Sequence, residues 1–363
     1  MKTRLVSVAM VVCNVERFLA EAIESILNQT LRDFEFVIVD FGSTDASRSI
    51  IRSYQAKDDR IQFHVIPPCN LSEARNDCCF RARGKYLALL DADDVALPDR
   101  LMRQVEYLES HPETGILGGG NDLIDESGRY LGRVARAEND RELRKTLLNC
   151  SPFCASTVTL RVDAFLAVGG YRRAFADTAE DYDLWRRIME RCQGAKLGEA
   201  LACYRIHTDQ VGRRKLRQLS LGQCVARASG MVRSQGKADP VDSADAITAE
   251  LLTELAVSEE DVENTLLATY STRVLNSLRA SNRNSALPLV DEMLEALAQS
   301  KHVRGSVAAE VWLTAARAYF RPGDITKACG AMTRAAIARP AFVAEIPWRG
   351  VRRLARRVMQ PFG

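Results

Sequence analysis

The chain has 363 residues, 47% of them apolar and 27% charged, which is enough for two soluble domains and a sizeable core. A formal net charge of +3 is close to neutral at this length and argues against nucleic acid as a partner. No apolar run is long enough to span a bilayer, no signal peptide is expected, and the ten cysteines carry no CxxC pair. They read as reduced core thiols of a cytosolic protein, not as a zinc or disulfide framework.

In chain order, Leu5 to Val12 is an apolar, β-rich run predicted as a first buried strand, ending at Cys13-Asn14. Leu19, Ala22, Ile23, Ile26 and Leu27 recur at helical spacing. Phe34 to Asp40 is a second strand that ends in an acid, and Gly42-Ser43-Thr44-Asp45 turns the chain into a helix through Tyr54. A third strand, Ile61 to Ile66, is stopped by Pro67-Pro68; a helix follows over Leu71 to Arg83. Lys85 to Asp91 reads as a central strand buried on both faces and closes in Asp91, Asp93 and Asp94. On an extended segment Asp91 and Asp93 project to one side and could face a ligand together, hard oxygen donors suited to Mg²⁺ or Mn²⁺. Read without their context, the same acids are also an ordinary strand-to-loop junction that caps the next helix. Further strands are expected at Gly115–Gly120, Ser156–Arg161 and Leu201–Ile206, and helices after Pro98, near 140–148, over Asp163–Val168 and over Glu180–Arg191. Alternating strands and helices imply an α/β fold with a mostly parallel sheet. Past Gly212 strand signals vanish, so the domains are expected at 1–212 and 213–363, the second all-helical.

Several motifs then fall in a familiar order. Val6-Ser7-Val8 leads into Cys13-Asn14-Val15-Glu16, and Ser25 to Thr30 ends the first helix as Ser-Ile-Leu-Asn-Gln-Thr. Phe34 to Asp45 is similar to "FELIVVDDGSTD", Leu71 to Asn76 to "LSxARN", and Leu89 to Asp94 to "LDADD" followed by Pro98-Asp99-Arg100-Leu101. Gly169-Gly170-Tyr171 matches a "GGY" turn and Glu180 to Trp185 an "EDxDLW" helix start. With these residues the chain resembles the family 2 glycosyltransferases of GT-A fold over about residues 4–212.

The resemblance implies a metal-dependent, inverting transfer of one sugar from a nucleotide-sugar donor, a UDP-sugar, to a glycan or lipid-linked saccharide in surface polysaccharide synthesis. It places Asp40 beside the donor base, Asn14 and Arg75 at the nucleotide, and Asp91 at the ribose or metal shell. Asp93 becomes the ligand of Mn²⁺ or Mg²⁺, His207 in Tyr-Arg-Ile-His a further metal or diphosphate contact, and Asp181 the general base with Glu180 beside it. Elementary chemistry agrees, since a departing diphosphate needs a cation and the acceptor hydroxyl needs a carboxylate opposite the leaving group. A lone strand-end His207 also reads as structural, and Glu180 and Asp181 as first-turn acids favoured by the helix dipole. Two departures stand out: Phe41 replaces the acid that usually follows Asp40, and no Gln-x-x-Arg-Trp motif of processive members follows Trp185. A catalytically weak scaffold that binds a protein partner is the alternative that Phe41 favours; a nucleotidyltransferase lacks its expected glycine-rich phosphate loop at Val8 to Asn14.

Residues 309–340 resemble one tetratricopeptide-like helix hairpin through Trp312, Ala316, Tyr319, Gly323, Asp324, Ala328, Ala335 and Pro340, though a generic hairpin fits equally well. Over 348–360, Arg349, Arg352, Arg353, Arg356 and Arg357 segregate from Val351, Leu354, Val358 and Met359. That pattern suits either an anionic membrane surface, on the cytoplasmic face, or a docked helix with a solvated basic side.

Overall fold

The computed structural model describes residues 4–176, 178–207, 215–279, 283–320 and 324–339. The tail at 348–360 and the expected domain junction at 213–214 lie outside them. The chain divides into two compact units, residues 1–258 and 259–363.

In the first unit the order is β1 (Val6–Val12), α1 (Glu16–Leu27), β2 (Phe34–Asp40), α2 (Ser47–Gln55), β3 (Ile61–Val65), α3 (Leu71–Phe80), β4 (Tyr86–Leu89), β5 (Val95–Ala96) and α4 (Arg100–Ser110). It continues with β6 (Thr114–Ile124), β7 (Tyr130–Val134), α5 (Asp140–Leu147), β8 (Thr159–Arg161), α6 (Val162–Ala167), α7 (Glu180–Met189), β9 (Gln193–Arg205), α8 (Leu216–Ser234) and α9 (Ala249–Glu254). Nine strands form one sheet in the order β3-β2-β1-β4-β8-β6-β9-β5, with β7 paired on β6. The β1–β4 block is parallel and so is the β6–β9 pair, whereas β8, β7 and β5 run antiparallel to their neighbours.

Every residue of β2 and of β4 is buried, because helices cover both faces of the sheet. Alternation divides them: Phe36, Ile38, Tyr86 and Ala88 face a core shared with Leu19, Ile23 and Leu101. Val37, Val39, Leu87 and Leu89 face the opposite core, shared with Phe165, Trp185 and Val225. No disulfide forms among the described residues.

Three expectations change. The central strand stops at Leu89, not Asp91, since the Asp94 amide bonds back to the Asp91 carbonyl at 3.2 Å and the acids occupy a turn. The last strand is longer than expected, starting at Gln193, because the long buried strand β6 pairs with it from Thr114 onward. The first compact unit also runs on to Ser258 instead of stopping at 212: the end of strand signals is not the end of the unit, as α8 packs against α7.

The second unit contains α10 (Glu259–Arg279), α11 (Arg283–Gln299), α12 (Gly305–Phe320) and α13 (Ile325–Ala338). The last two pack against each other, with Ala315, Ala316, Ala328 and Ala331 buried, small residues that let the helices approach. No described helix is long and apolar enough to cross a membrane.

Candidate functional site

Asp40 ends β2 fully buried. Its Oδ1 accepts hydrogen bonds from the Gly42 and Ser43 amides, both at 3.2 Å, and from Arg48 Nε at 2.8 Å. Among the described residues its Oδ2 is buried with no hydrogen-bond partner. Burial works to raise this carboxyl, but the hydrogen bonds from Ser43, Arg48 and the loop amides prevail and hold it below the ordinary range. Asn14, at a positive φ of 53°, grips the same loop: its Oδ1 accepts from the Thr44 amide at 2.8 Å and from Thr44 Oγ1 at 3.2 Å. Phe41 is half-buried beside it, its amide bonded to Val12 O at 3.1 Å. Arg48 was not foreseen; its only sequence signal is a cation in the first turn of α2, eight residues after Asp40.

The three acids after β4 have three different surroundings. Asp91 Oδ1 accepts from Arg75 Nη2 at 3.1 Å, while Asp93 Oδ2 lies 2.9 Å from His207 Nε2. They therefore do not share one direction as they would on a strand. Asp94 is buried as a strut: Oδ2 accepts from Ser156 Oγ at 2.5 Å and Oδ1 from the Arg205 amide at 2.8 Å. Ser156 Oγ accepts in turn from the Asp91 amide at 3.1 Å. Burial, reinforced by the charges of Asp93 and Asp91, pushes the Asp94 carboxyl well up. Arg205 completes the frame, donating to Asp93 O at 2.9 Å and to Glu21 Oε2 at 2.5 Å, with its guanidinium 4.8 Å from the Phe18 ring. That anchor fixes the end of β9 and delivers His207 to Asp93. The sequence names Asp94 as an acid of the motif but gives no sign of its role as a strut, or of Ser156 and Arg205, because the partners are 62 to 184 residues away.

Arg75 is the meeting point. Asn70 and Glu73 form a capping box that starts α3 just past Pro67-Pro68 and so fixes the face carrying Arg75. The guanidinium donates to Asp181 Oδ1 at 2.5 Å and to Asp91 Oδ1 at 3.1 Å, with Glu180 Oε1 at 3.8 Å and the Tyr171 ring 5.7 Å away. Its recorded partners are thus the acids of two clusters and not the Asp40 pocket. The neighbouring Asn76 clamps the glycine turn: Nδ2 donates to Tyr171 O at 2.7 Å and Oδ1 accepts from the Tyr171 amide at 2.8 Å. Gly170 sits at φ +73°, and a Cβ there would lie 2.5 Å from Asn76 Oδ1, so both the conformation and the close approach require glycine. The "ARN" and "GGY" motifs are two halves of one contact.

Glu180 is buried at the start of α7. Burial first, then the Asp181 charge, push its carboxyl up to about 8, against the lowering effect of Arg75. Asp91 is pushed up to about 6, by burial and by the Asp93 and Asp181 charges, with Arg75 opposing. Among the described residues no three His, Cys, Asp or Glu side chains gather as a preformed metal cage.

The glycosyl transferase family 2 model matches residues 7–169. The chain is 36% identical to EpsE of Bacillus subtilis over 214 residues, covering 58% of this chain and 76% of that protein. It is 32% identical to the O-antigen biosynthesis glycosyltransferase WbnJ of Escherichia coli over 207 residues, 56% of this chain and 80% of that one. The chain belongs to glycosyl transferase family 2. It is a glycosyltransferase, and its mixed sheet with flanking helices is of GT-A type. A mannosyltransferase from Pyrobaculum calidifontis, solved with GDP-Man and Mn²⁺, shares this fold with a TM-score of 0.51 and 16% identity over 93% of this chain and 87% of that one. Within this family 2 chain, Asp40, Arg75, Asp91 and Asp93 fall inside the model match; Glu180, Asp181 and His207 lie past its end.

Proposed function

We propose that this glycosyltransferase moves one sugar per encounter, with inversion, from a UDP-sugar to a glycan or lipid-linked saccharide of surface polysaccharide synthesis. The observation that carries the reading is Arg75, whose single guanidinium bonds to Asp91 on one side and Asp181 on the other. The acceptor class follows relatives such as WbnJ and the amylovoran biosynthesis glycosyltransferase AmsE of Erwinia amylovora, 31% identical over 202 residues.

In this reading the buried, unpartnered Asp40 Oδ2 accepts the imide N–H of uracil, an acceptor aimed at a donor. Arg48 and the loop amides hold the other oxygen, and Asn14 fixes the loop. Asp93 and His207 are the residues that would hold Mn²⁺ or Mg²⁺, with Asp91 in its outer shell. The 2.9 Å between Asp93 Oδ2 and His207 Nε2 is close to the edge of an octahedron with bonds of about 2.1 Å, which spans roughly 3.0 Å. Such ions need few protein ligands when phosphate and water complete the shell, so two donors fit. When bound, the ion supplies charge neutralisation for the departing diphosphate.

Asp181 is the general base. It takes the acceptor hydroxyl proton while that oxygen bonds to the anomeric carbon and the carbon–oxygen bond to the diphosphate breaks, one displacement that inverts the centre. Glu180 keeps its proton near neutral pH, which leaves Asp181 as the acceptor of the hydroxyl proton. The enzyme works in the cytoplasm, where nucleotide sugars are donors, and residues 348–360 are its contact with an anionic membrane surface.

A thermal-shift panel of UDP-, GDP- and TDP-sugars with and without Mn²⁺ tests the donor and metal together, because a ligand bound only by the folded state raises the melting temperature. A UDP-sugar should stabilise most, and more with Mn²⁺. Stabilisation by GDP- or TDP-sugars alone overturns the uracil assignment, and an equal shift without metal overturns the Asp93–His207 assignment.

A further inference from the structure

The segment after residue 215 lies beyond the family match, yet it is built into the back of the catalytic helix. Two separate contacts show this. The first is steric: Gly222 of α8 abuts the residues just before Glu180, so that a Cβ at 222 would come within 2.7 Å of Thr178 Oγ1 and 3.0 Å of the Ala179 amide. The second is a buried chain of charges. Asp183, one turn into α7 and fully buried, is gripped by both Arg172, from the Gly-Gly-Tyr turn, and Arg187, whose Nε donates at 2.8 Å. Arg172 Nη1 donates to Asp239 Oδ2 at 2.7 Å, and that oxygen also accepts from Ser229 Oγ and Arg233 Nη1, both at 2.5 Å. Burial works to raise the Asp239 carboxyl, but Ser229 and Arg172 hold it down at about 2.

We infer that α8 and the turn at Asp239 form a strap that positions the first turn of α7, with Gly222 and Asp239 as positioning residues for Asp181. The inference rests on Asp181 being the base. Gly222 sets how closely the strap approaches Ala179; Asp239 sets where Arg172 stands and hence where Asp183, two residues past Asp181, is pinned. A base has to lie within hydrogen-bond reach of the acceptor hydroxyl, and misplacement by about 1 Å can cost up to about 10²-fold in rate. Neither residue touches the Asp40 pocket or the Asp93–His207 pair, so donor recognition is insulated from the strap.

The test uses the full chain, with kcat and donor KM measured per folded molecule for Asp239→Asn, Gly222→Ala, Asp181→Asn and the two doubles with Asp181→Asn. The expected result is a fall in kcat of about tenfold for each strap variant with donor KM changed less than about twofold. In the doubles, the strap substitution adds less than about twofold, since the group it positions is already gone. Strap variants that keep wild-type kcat while Asp181→Asn loses about 10²-fold or more overturn the inference alone and leave the base in place. Fully additive doubles also overturn it, as the strap then acts elsewhere. A harmless Asp181→Asn overturns this inference and the base assignment together. Should Asp239→Asn fail to fold, Gly222→Ala and its double decide the question.

Discussion

Two arginine-centred clusters flank the start of α7, and they are built from the same chemistry to opposite effect. Around Arg75 one guanidinium faces three carboxylates, Asp91, Glu180 and Asp181, of which Asp91 and Asp181 keep 35% and 25% of their side chains exposed. Around Arg172 three guanidiniums, those of Arg172, Arg187 and Arg233, meet four carboxylates: Asp183 and Asp239 are essentially inaccessible, whereas Glu190 and Asp242 lie at the exposed rim. The first cluster sets one cation against three carboxylates, and burial first, then the neighbouring carboxylates, push Asp91 and Glu180 upward. In the second, the two buried aspartates are compensated by three guanidiniums and saturated with hydrogen bonds. On the proposed reading the partly exposed cluster does the chemistry and the compensated, buried one holds the geometry.

Four measurements break or sharpen that contrast. The largest effect is expected in the second cluster: Arg172→Ala takes from the buried Asp183 and Asp239 the guanidinium they share, leaving one arginine to each, and should cost about 3–5 kcal/mol of folding stability. Urea denaturation reads this directly, and a loss below about 1 kcal/mol would mean that the cluster is not a structural keystone. Next comes Asp181→Asn, expected to lower turnover by about 10²-fold or more, or about 3 kcal/mol, with donor affinity unchanged. Near wild-type turnover with a verified acceptor would move the base elsewhere, Glu180 first. Asp93→Ala should abolish the Mn²⁺-dependent part of donor binding, a change of at least about tenfold, or roughly 1.4 kcal/mol. Titration calorimetry with and without Mn²⁺ measures it, and undiminished metal dependence removes Asp93 from the site.

The smallest effect is in pH dependence. Glu180 titrates near 8 when folded and near the ordinary value of 4.5 when unfolded. Below 4.5 the proton is bound in both states and the site contributes nothing. Between 4.5 and 8 the folded state holds a proton that the unfolded state has released, so stability falls as pH rises through that window. Glu180→Gln removes the titration; its melting temperature should match the parent near pH 5 and exceed it near pH 8.5. Parallel melting curves at the two pH values would show that Glu180 is not held protonated.

By itself, the sequence determined the α/β class, the family and the placing of most site candidates at the ends of strands or the starts of helices. Strand hydrophobicity, the Asn70 cap and the Gly169-Gly170 stop are local signals, set by residues a few positions apart. Tertiary structure alone decided how those positions meet. The turn after Leu89 sent Asp91 to Arg75 and Asp93 to His207, although spacing had aimed both acids at one ligand. Asp94, the third acid of the motif, became a strut because Ser156 and Arg205 arrive from far along the chain. Arg75 joined two acid clusters, 16 and 106 residues along the chain from it, in a register that only the packing of α3 against the glycine turn could fix. The family boundary and the change of texture near residue 212 likewise gave no sign that Asp239 would close the charge chain behind α7. Propensity and periodicity act over a turn or a strand, whereas the balance of a buried charge depends on every partner the fold brings within hydrogen-bond reach.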